Sequence, residues 1–167
     1  MPLLARPFAT LLAASIAASA VPALAADAAS MPVAAPRAAG IIRLRSTNDF
    51  DQTVARLKSD VAAKGIRFFD AIDQAGLGAS VNLPIKRSTL VLFGNPPLGV
   101  QFLQSNPYSA LDWPVRMLVV EDADGSVWVA WTDFAFIANR YSIDDRAAQF
   151  KMASEVAQSI ATAATSR

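Results

Sequence analysis

The sequence predicts an α+β fold in which helices pack on one face of a mostly antiparallel sheet. Three observations support this prediction: apolar alternation marks several short strands, a hairpin joins the last two strands, and short links leave little room for parallel crossovers. The predicted order of elements is β-α-β-β-α-β-β-α. These elements fall within residues 40–167, and about 128 residues bury enough surface to fold as a single domain without cross-links.

The first strand and the first helix have the clearest periodicity. Arginines alternate with Ile42 and Leu44 over residues 41–45, which predicts a half-exposed strand with these two side chains turned inward. A helix is predicted from Asn48, the expected N-cap, to residue 64, and Gly65 is expected to end it. Its inward face is formed by Phe50, Val54, Leu57 and Val61.

The remaining predicted elements are two further strands, a short helix, a hairpin and a closing helix. They span residues 66–72, 88–93, 98–104, 115–120 with 127–132, and 142–165. The third strand is apolar on both faces, so we expect it to be central, with Leu92 fully enclosed. Trp128 and Trp131 are three apart on one strand and must face opposite sides, so one of them should lie on the face that helices leave open.

The first 25 residues predict a signal peptide. Arg6 precedes a predominantly apolar stretch, and Ala23 and Ala25 are the small residues that favour cleavage after Ala25. The apolar stretch is shorter than the roughly 20 residues that span a bilayer, and a lone arginine favours the general secretory route. Residues 26–39, rich in alanine with two prolines, predict a disordered tether. The mature protein is therefore expected to be soluble, periplasmic or secreted, and free of the membrane.

Composition excludes several chemistries. The chain has no cysteine and no histidine, which rules out disulfides, serine-histidine triads, cysteine nucleophiles, zinc sites built from these residues, and iron-sulfur clusters. Without the signal peptide the chain has fourteen basic and fourteen acidic side chains, so neither nucleic acid nor an anionic membrane is an expected partner. An Asp-Gly hairpin turn explains Asp122 and Asp124 better than a calcium loop does. No metal or cofactor is predicted.

Two motifs within residues 90–133 are characteristic: Phe93-Gly94-Asn95-Pro96, and later Asp112-Trp113-Pro114. On these motifs the chain resembles the family of the domain of unknown function 302, over about residues 46 to 143. The resemblance implies a TATA-binding-protein-like arrangement and a tendency to pair, and it implies no established activity. Where that family often has histidine this chain has Gln74 and Tyr141, so no role that needs an imidazole carries over.

Five residues near the ends of the predicted strands are candidates for ligand binding: Asn95, Asp112, Arg116, Asp133 and Arg140. The hairpin brings the start of its first strand and the end of its second to the same end of the sheet, which should bring Asp112 close to Asp133. Arginines would relieve the repulsion between these carboxylates. Structural roles remain open for the same residues, because Asn95 precedes a turn-forming proline and Asp112 has an ion pair available with either arginine.

The sequence thus predicts an exported soluble binding or interaction module, a homodimer with a small-molecule ligand of unknown identity, rather than an enzyme. Two alternatives remain. One is a small periplasmic enzyme with acid-base chemistry on Asp112 or Asp133 and an anion held by Arg116 or Arg140. The other is a structural component of an envelope complex, which would have a broad apolar patch and no pocket.

Overall fold

The sheet of this protein has five strands in the order β1-β5-β4-β3-β2, and every neighbouring pair is antiparallel. The computed structural model describes residues 39–167, so the predicted signal peptide and the predicted tether, apart from Ala39, lie outside the described residues. The strands are β1 Ile41–Arg45, β2 Arg67–Asp73, β3 Ser88–Gly94, β4 Val115–Glu121 and β5 Val127–Thr132. The antiparallel α+β prediction is confirmed.

The helices of the described part pack mainly against one side of this sheet. They are α1 Phe50–Ala63, α2 Gln74–Ser80, α3 Pro96–Ser105, α4 Phe134–Arg140 and α5 Ala147–Thr165, with a 3-10 helix at Pro107–Asp112. The two long helices, α1 and α5, lie on the same face of the sheet and contact each other. Helix α3 joins them through Phe102, whose ring stacks on Phe150 of α5 at 4.2 Å between centroids. The core therefore lies between one sheet face and these three helices.

Strand register fixes which side chains enter that core. Val91 of β3 pairs with Met117 of β4, which pairs in turn with Trp131 of β5, and all three side chains are buried. Leu57 of α1 and Ile160 of α5 belong to the same hydrophobic core and are fully buried. Burial of apolar surface at about 25 cal/mol per Å² is the main force that holds the helices on this face.

The opposite face of the sheet is apolar but only partly buried. Its side chains come from the alternate positions of the central strands: Leu90, Leu92, Leu118, Val120, Trp128 and Ala130. The prediction that Leu92 is fully enclosed is wrong, because register pairs it with the exposed Arg116 on this open face. Trp131 is buried and Trp128 is half-exposed, so the two tryptophans do face opposite sides.

The start of α1 differs from the prediction by one residue. Asp49 is the N-cap, and its Oδ1 accepts the backbone N–H of Gln52 at 2.8 Å. The Nδ2 of Asn48 instead donates to the carbonyls of Ala164 and Ser166, each at 3.0 Å. The predicted cap is wrong because Asn48 ties the start of α1 to the end of α5.

Two short helices are absent from the predicted order. Asp73 caps α2 by accepting the N–H of Gly76 at 2.9 Å, and Asp133 caps α4 in the same way. Both helices have seven residues, too few for a helical apolar period to be recognised. The closing helix begins at Ala147 rather than at residue 142, since Ser142 has a φ of 51° and ends α4 instead.

Candidate functional site

A buried carboxylate, that of Asp112, lies at the end of the 3-10 helix. Its side chain is only 4% exposed, and three donors reach it. Arg116 Nη2 contacts Oδ1, Arg140 Nη1 lies 3.3 Å from Oδ2, and the hydroxyl of Tyr141 donates to Oδ2 at 2.7 Å. A buried charge is costly unless it is paired and hydrogen-bonded, so these donors are what makes the carboxylate tolerable there.

The two arginines approach Asp112 from different elements. Arg116 belongs to β4 and lies on the open face, whereas Arg140 lies in the last turn of α4. Their side chains are 42% and 52% exposed, against 4% for the carboxylate. Within residues 39–167, the hydrogen bonds of both guanidinium groups all go to Asp112. The cluster of two cations and one anion therefore has an unbalanced positive charge at its surface.

Tyr141 completes this cluster, and the sequence alone assigned it no role. The side chain is buried, and its hydrogen bond to Asp112, followed by burial, raises the pKa of the phenol above its usual value. The neutral phenol is favoured because it donates a proton to the carboxylate, and a phenolate would face a like charge. Periodicity did not identify Tyr141, since it lies just after α4, between two helices.

The structure brings three of the five predicted ligand-binding residues together: Asp112, Arg116 and Arg140. The other two have local roles. Asp133 Oδ1 accepts the N–H of Ala135 at 2.9 Å as the cap of α4. Asn95 is exposed, and its carbonyl accepts two N–H groups from the first turn of α3. In the described part of the chain neither has a hydrogen bond or ion pair to Asp112. Ligand binding by these residues stays a prediction.

Trp113 links the two sequence motifs physically. Its indole lies against Gly94 and Gly99: an added Cβ at Gly94 would lie 3.0 Å from an indole carbon, and one at Gly99 would overlap the indole nitrogen. Beside it is a cavity of about 40 Å³ lined almost entirely by apolar side chains. Sites for organic ligands usually have about 300 Å³ or more, so this cavity is too small to be one.

A larger cleft, of about 510 Å³, lies between α1, β2 and the start of α2. Sequence reasoning missed it, because nothing in the pattern of α1 shows that β2 extends beyond the cover of the helix. At one end Arg87 is paired with Asp51, with Nη1 3.0 Å from Oδ2. Asp73 and Lys58 also line the cleft, so two positive and two negative groups balance. Its volume lies within the range found for small-molecule sites.

The acidic side chains of residues 39–167 form no group of three or more placed to bind a metal ion. Over the same residues, no helix combines the length and the apolar character needed to cross a membrane.

This fold and site define a class of protein: an α+β domain with one antiparallel sheet, covered by helices on one face, and a buried carboxylate held by two arginines. The family model described as "Domain of unknown function DUF302" matches residues 42–166. The chain belongs to the DUF302 family. A crystal structure of an uncharacterized conserved protein DUF302 from Bacillus stearothermophilus has the same fold, with a TM-score of 0.69 and 10% sequence identity. The alignment covers 76% of this chain and 99% of that chain.

Curated relatives in Brucella are longer proteins. Two proteins named fluoride-specific ion channel FluC 1, from Brucella suis biovar 1 and Brucella abortus biovar 1, are each 29% identical to this chain over 112 residues. The match covers 67% of this chain but only 44% and 42% of those relatives. The chain thus spans less than half the length of the curated relatives that it matches.

Proposed function

We propose that this chain is an exported binding or interaction module, and that the open face of its sheet is its interaction surface. One observation carries the proposal: the partly exposed apolar side chains of Leu90, Leu118 and Ala130 pair in register across three adjacent central strands. The indole of Trp128 lies on the same face, two residues along β5. Contiguous apolar patches of this kind are uncommon on soluble monomers and mark sites of association. The covering partner that fits best is a second copy of the chain.

The charges at the two edges of this face support pairing of identical copies. Arg43 and Arg45 lie at the β1 edge, and Asp70 lies at the β2 edge beside Leu92. A two-fold axis parallel to the strands would place the β1 edge of one copy opposite the β2 edge of its partner. Asp70 of one copy would then lie along the same side of the interface as Arg43 and Arg45 of its partner, and one such approach at each margin favours specific association.

The comparisons support the role of a module. The region matched in the Brucella relatives is less than half of each protein, as expected for a domain that works beside another one. Export of this chain is a separate part of the proposal and follows from the signal peptide predicted for residues 1–25. Sequencing the N-terminus of the mature protein should find Ala26 first, and a start at Met1 would contradict export.

For the ligand of this module we propose the surface formed by Arg116 and Arg140 around Asp112. The alternative of an enzyme with Asp112 as its acid or base has less support, because three donors occupy this carboxylate and its side chain is 4% exposed. A general base must come within hydrogen-bonding reach of its substrate. Arg116, in contrast, lies at the start of β4, at one end of the open face, and Arg140 lies on α4, so a ligand from solvent can reach both exposed side chains.

Analytical ultracentrifugation tests the pairing. The wild type should sediment as a dimer at micromolar concentration, and Leu118→Arg should sediment as a monomer because it places a charge at the centre of the apolar face. Met152→Arg is the matched control, since Met152 is an apolar residue of α5 that is 54% exposed. It should remain dimeric. A wild type that is monomeric throughout the micromolar range would refute the proposal.

A further inference from the structure

We propose that Arg116 and Arg140 form a binding site for a small oxyanion of the phosphate or carboxylate kind. The inference rests on the proposed ligand surface and names the chemistry that this surface recognises. Asp112 holds one guanidinium on each of its two oxygens, Arg116 on Oδ1 and Arg140 on Oδ2. Two cations that would otherwise repel each other are thereby fixed side by side.

Arg140 is not required to neutralise the carboxylate of Asp112 or to complete its hydrogen bonds. Arg116 and the hydroxyl of Tyr141 already give the buried carboxylate one countercharge and a hydrogen bond to each oxygen. Arg140 adds a further positive charge at a longer distance, 3.3 Å, and its side chain is 52% exposed. Holding a surplus cation beside another one is unfavourable in isolation, and an incoming anion removes that penalty.

The geometry of the guanidinium groups sets the class of ligand. Each guanidinium has five N–H donors in a planar fork, and in the described residues those of Arg116 and Arg140 have no acceptor other than Asp112. Planar forks match oxyanions, which accept two parallel hydrogen bonds, better than they match a spherical ion such as chloride. The carboxylate of Asp112 reduces the freedom of both side chains before the ligand arrives, so less entropy is lost on binding.

The test is a titration of the full chain with inorganic phosphate at constant ionic strength, followed through the side-chain N–H resonances of arginine. Saturable shifts should appear for Arg116 and Arg140, and substitution of Arg140→Gln should weaken phosphate binding by about tenfold or more. Arg140→Lys keeps the charge without the fork and should give an intermediate affinity. Acetate in place of phosphate shows whether a carboxylate suffices, and chloride should produce no saturable shift.

Arg87→Gln is the matched control. The side chain of Arg87 is 49% exposed and pairs with Asp51, a carboxylate to which no second arginine is bound within residues 39–167. Its substitution should leave phosphate affinity unchanged. Equal shifts with phosphate and chloride, or equal affinity in Arg140→Gln and the wild type, would overturn the proposal. Sedimentation of the same samples separates the two ideas: a dimer that ignores phosphate refutes only the oxyanion site, and a monomer that binds phosphate refutes only the pairing.

Discussion

At the scale of single residues, Asp112 decides the chemistry of this region. An aspartate at this depth is stable only with its donors in place, and those donors come from β4, from α4 and from the residue after α4. Separate parts of the chain are therefore tied to one carboxylate. The same hydrogen bonds determine how Tyr141 titrates.

We expect the pKa of Tyr141 in the folded protein to exceed the value of about 10 found in unfolded chains, because its hydroxyl donates to Asp112. The stabilisation from this hydrogen bond should be fully present below pH of about 10 and should be lost as the pH rises through the folded pKa. Tyr108→Phe leaves Tyr141 as the single tyrosine of the chain, and its ionisation is then measured by ultraviolet absorbance.

The control for this measurement is Asp112→Asn in the same Tyr108→Phe background, where the pKa should fall towards the ordinary value. Tyr108 is suitable for removal since its side chain is 73% exposed. A folded midpoint at or below the midpoint measured in denaturant would show that Tyr141 does not donate to Asp112.

At the scale of elements, α3 illustrates how a contact overrides propensity. Alanine is favoured over glycine inside a helix by about 1 kcal/mol, so Gly99→Ala should stabilise an isolated α3. In the folded protein the new Cβ would overlap the indole of Trp113, and overpacking costs about 1–3 kcal/mol. Because the new Cβ would overlap several atoms of a rigid ring, the overpacking cost should lie near the upper end of this range, and we expect a net loss of about 2 kcal/mol in denaturant unfolding.

Val100→Ala provides the comparison for Gly99→Ala. Val100 is the next residue in α3, but its side chain is 45% exposed, and its truncation should change stability by less than about 0.5 kcal/mol. A Gly99→Ala variant as stable as the wild type would mean that Trp113 can leave its position without cost.

A Leu→Ala substitution should lower the free energy of unfolding by different amounts on the covered and the open side of the sheet. Leu57→Ala removes a side chain with no exposed surface and should cost about 2–5 kcal/mol. Leu92→Ala removes a half-exposed side chain and should cost about half as much when measured at concentrations that keep the protein monomeric. Equal losses would show that the open face is covered in the free protein. Unfolding by urea measures both.

Periodicity was enough to predict the strands and the long helices, because their apolar stripes come from burial against one core. Periodicity did not predict α2 and α4, because these short helices are capped by Asp73 and Asp133 and have no long apolar stripe. Periodicity also placed Leu92 in the core, because a strand that is apolar on both faces has the same sequence pattern whether its second face is covered or open. Sequence spacing does not record what lies on the far side of a sheet.

At the scale of the whole molecule, the architecture explains why the candidate site was predicted only in part. Asp112 and Arg116 are four residues apart, so their pairing is close to a local property of the chain. Arg140 reaches Asp112 only because the β4–β5 hairpin and α4 return the chain to the same end of the sheet. Asp133 lies nearer to Arg140 in sequence, yet its carboxylate is held by the helix that it caps. Within residues 39–167 the carboxylate of Asp133 therefore makes its hydrogen bond to the backbone of α4 and none to Arg140.

The two outer strands of the sheet, β1 and β2, affect whether this protein aggregates at high concentration. An unprotected outer strand is a template onto which further chains add, and such growth leads to fibres. At one margin, β2 contains an irregularity between Phe68 and Asp70 that breaks the regular ladder. At the other, β1 is only five residues long and carries Arg43 and Arg45. Both outer strands therefore disfavour addition of another strand, so the pairing that we propose through the open face would end at two copies instead of continuing into a fibre.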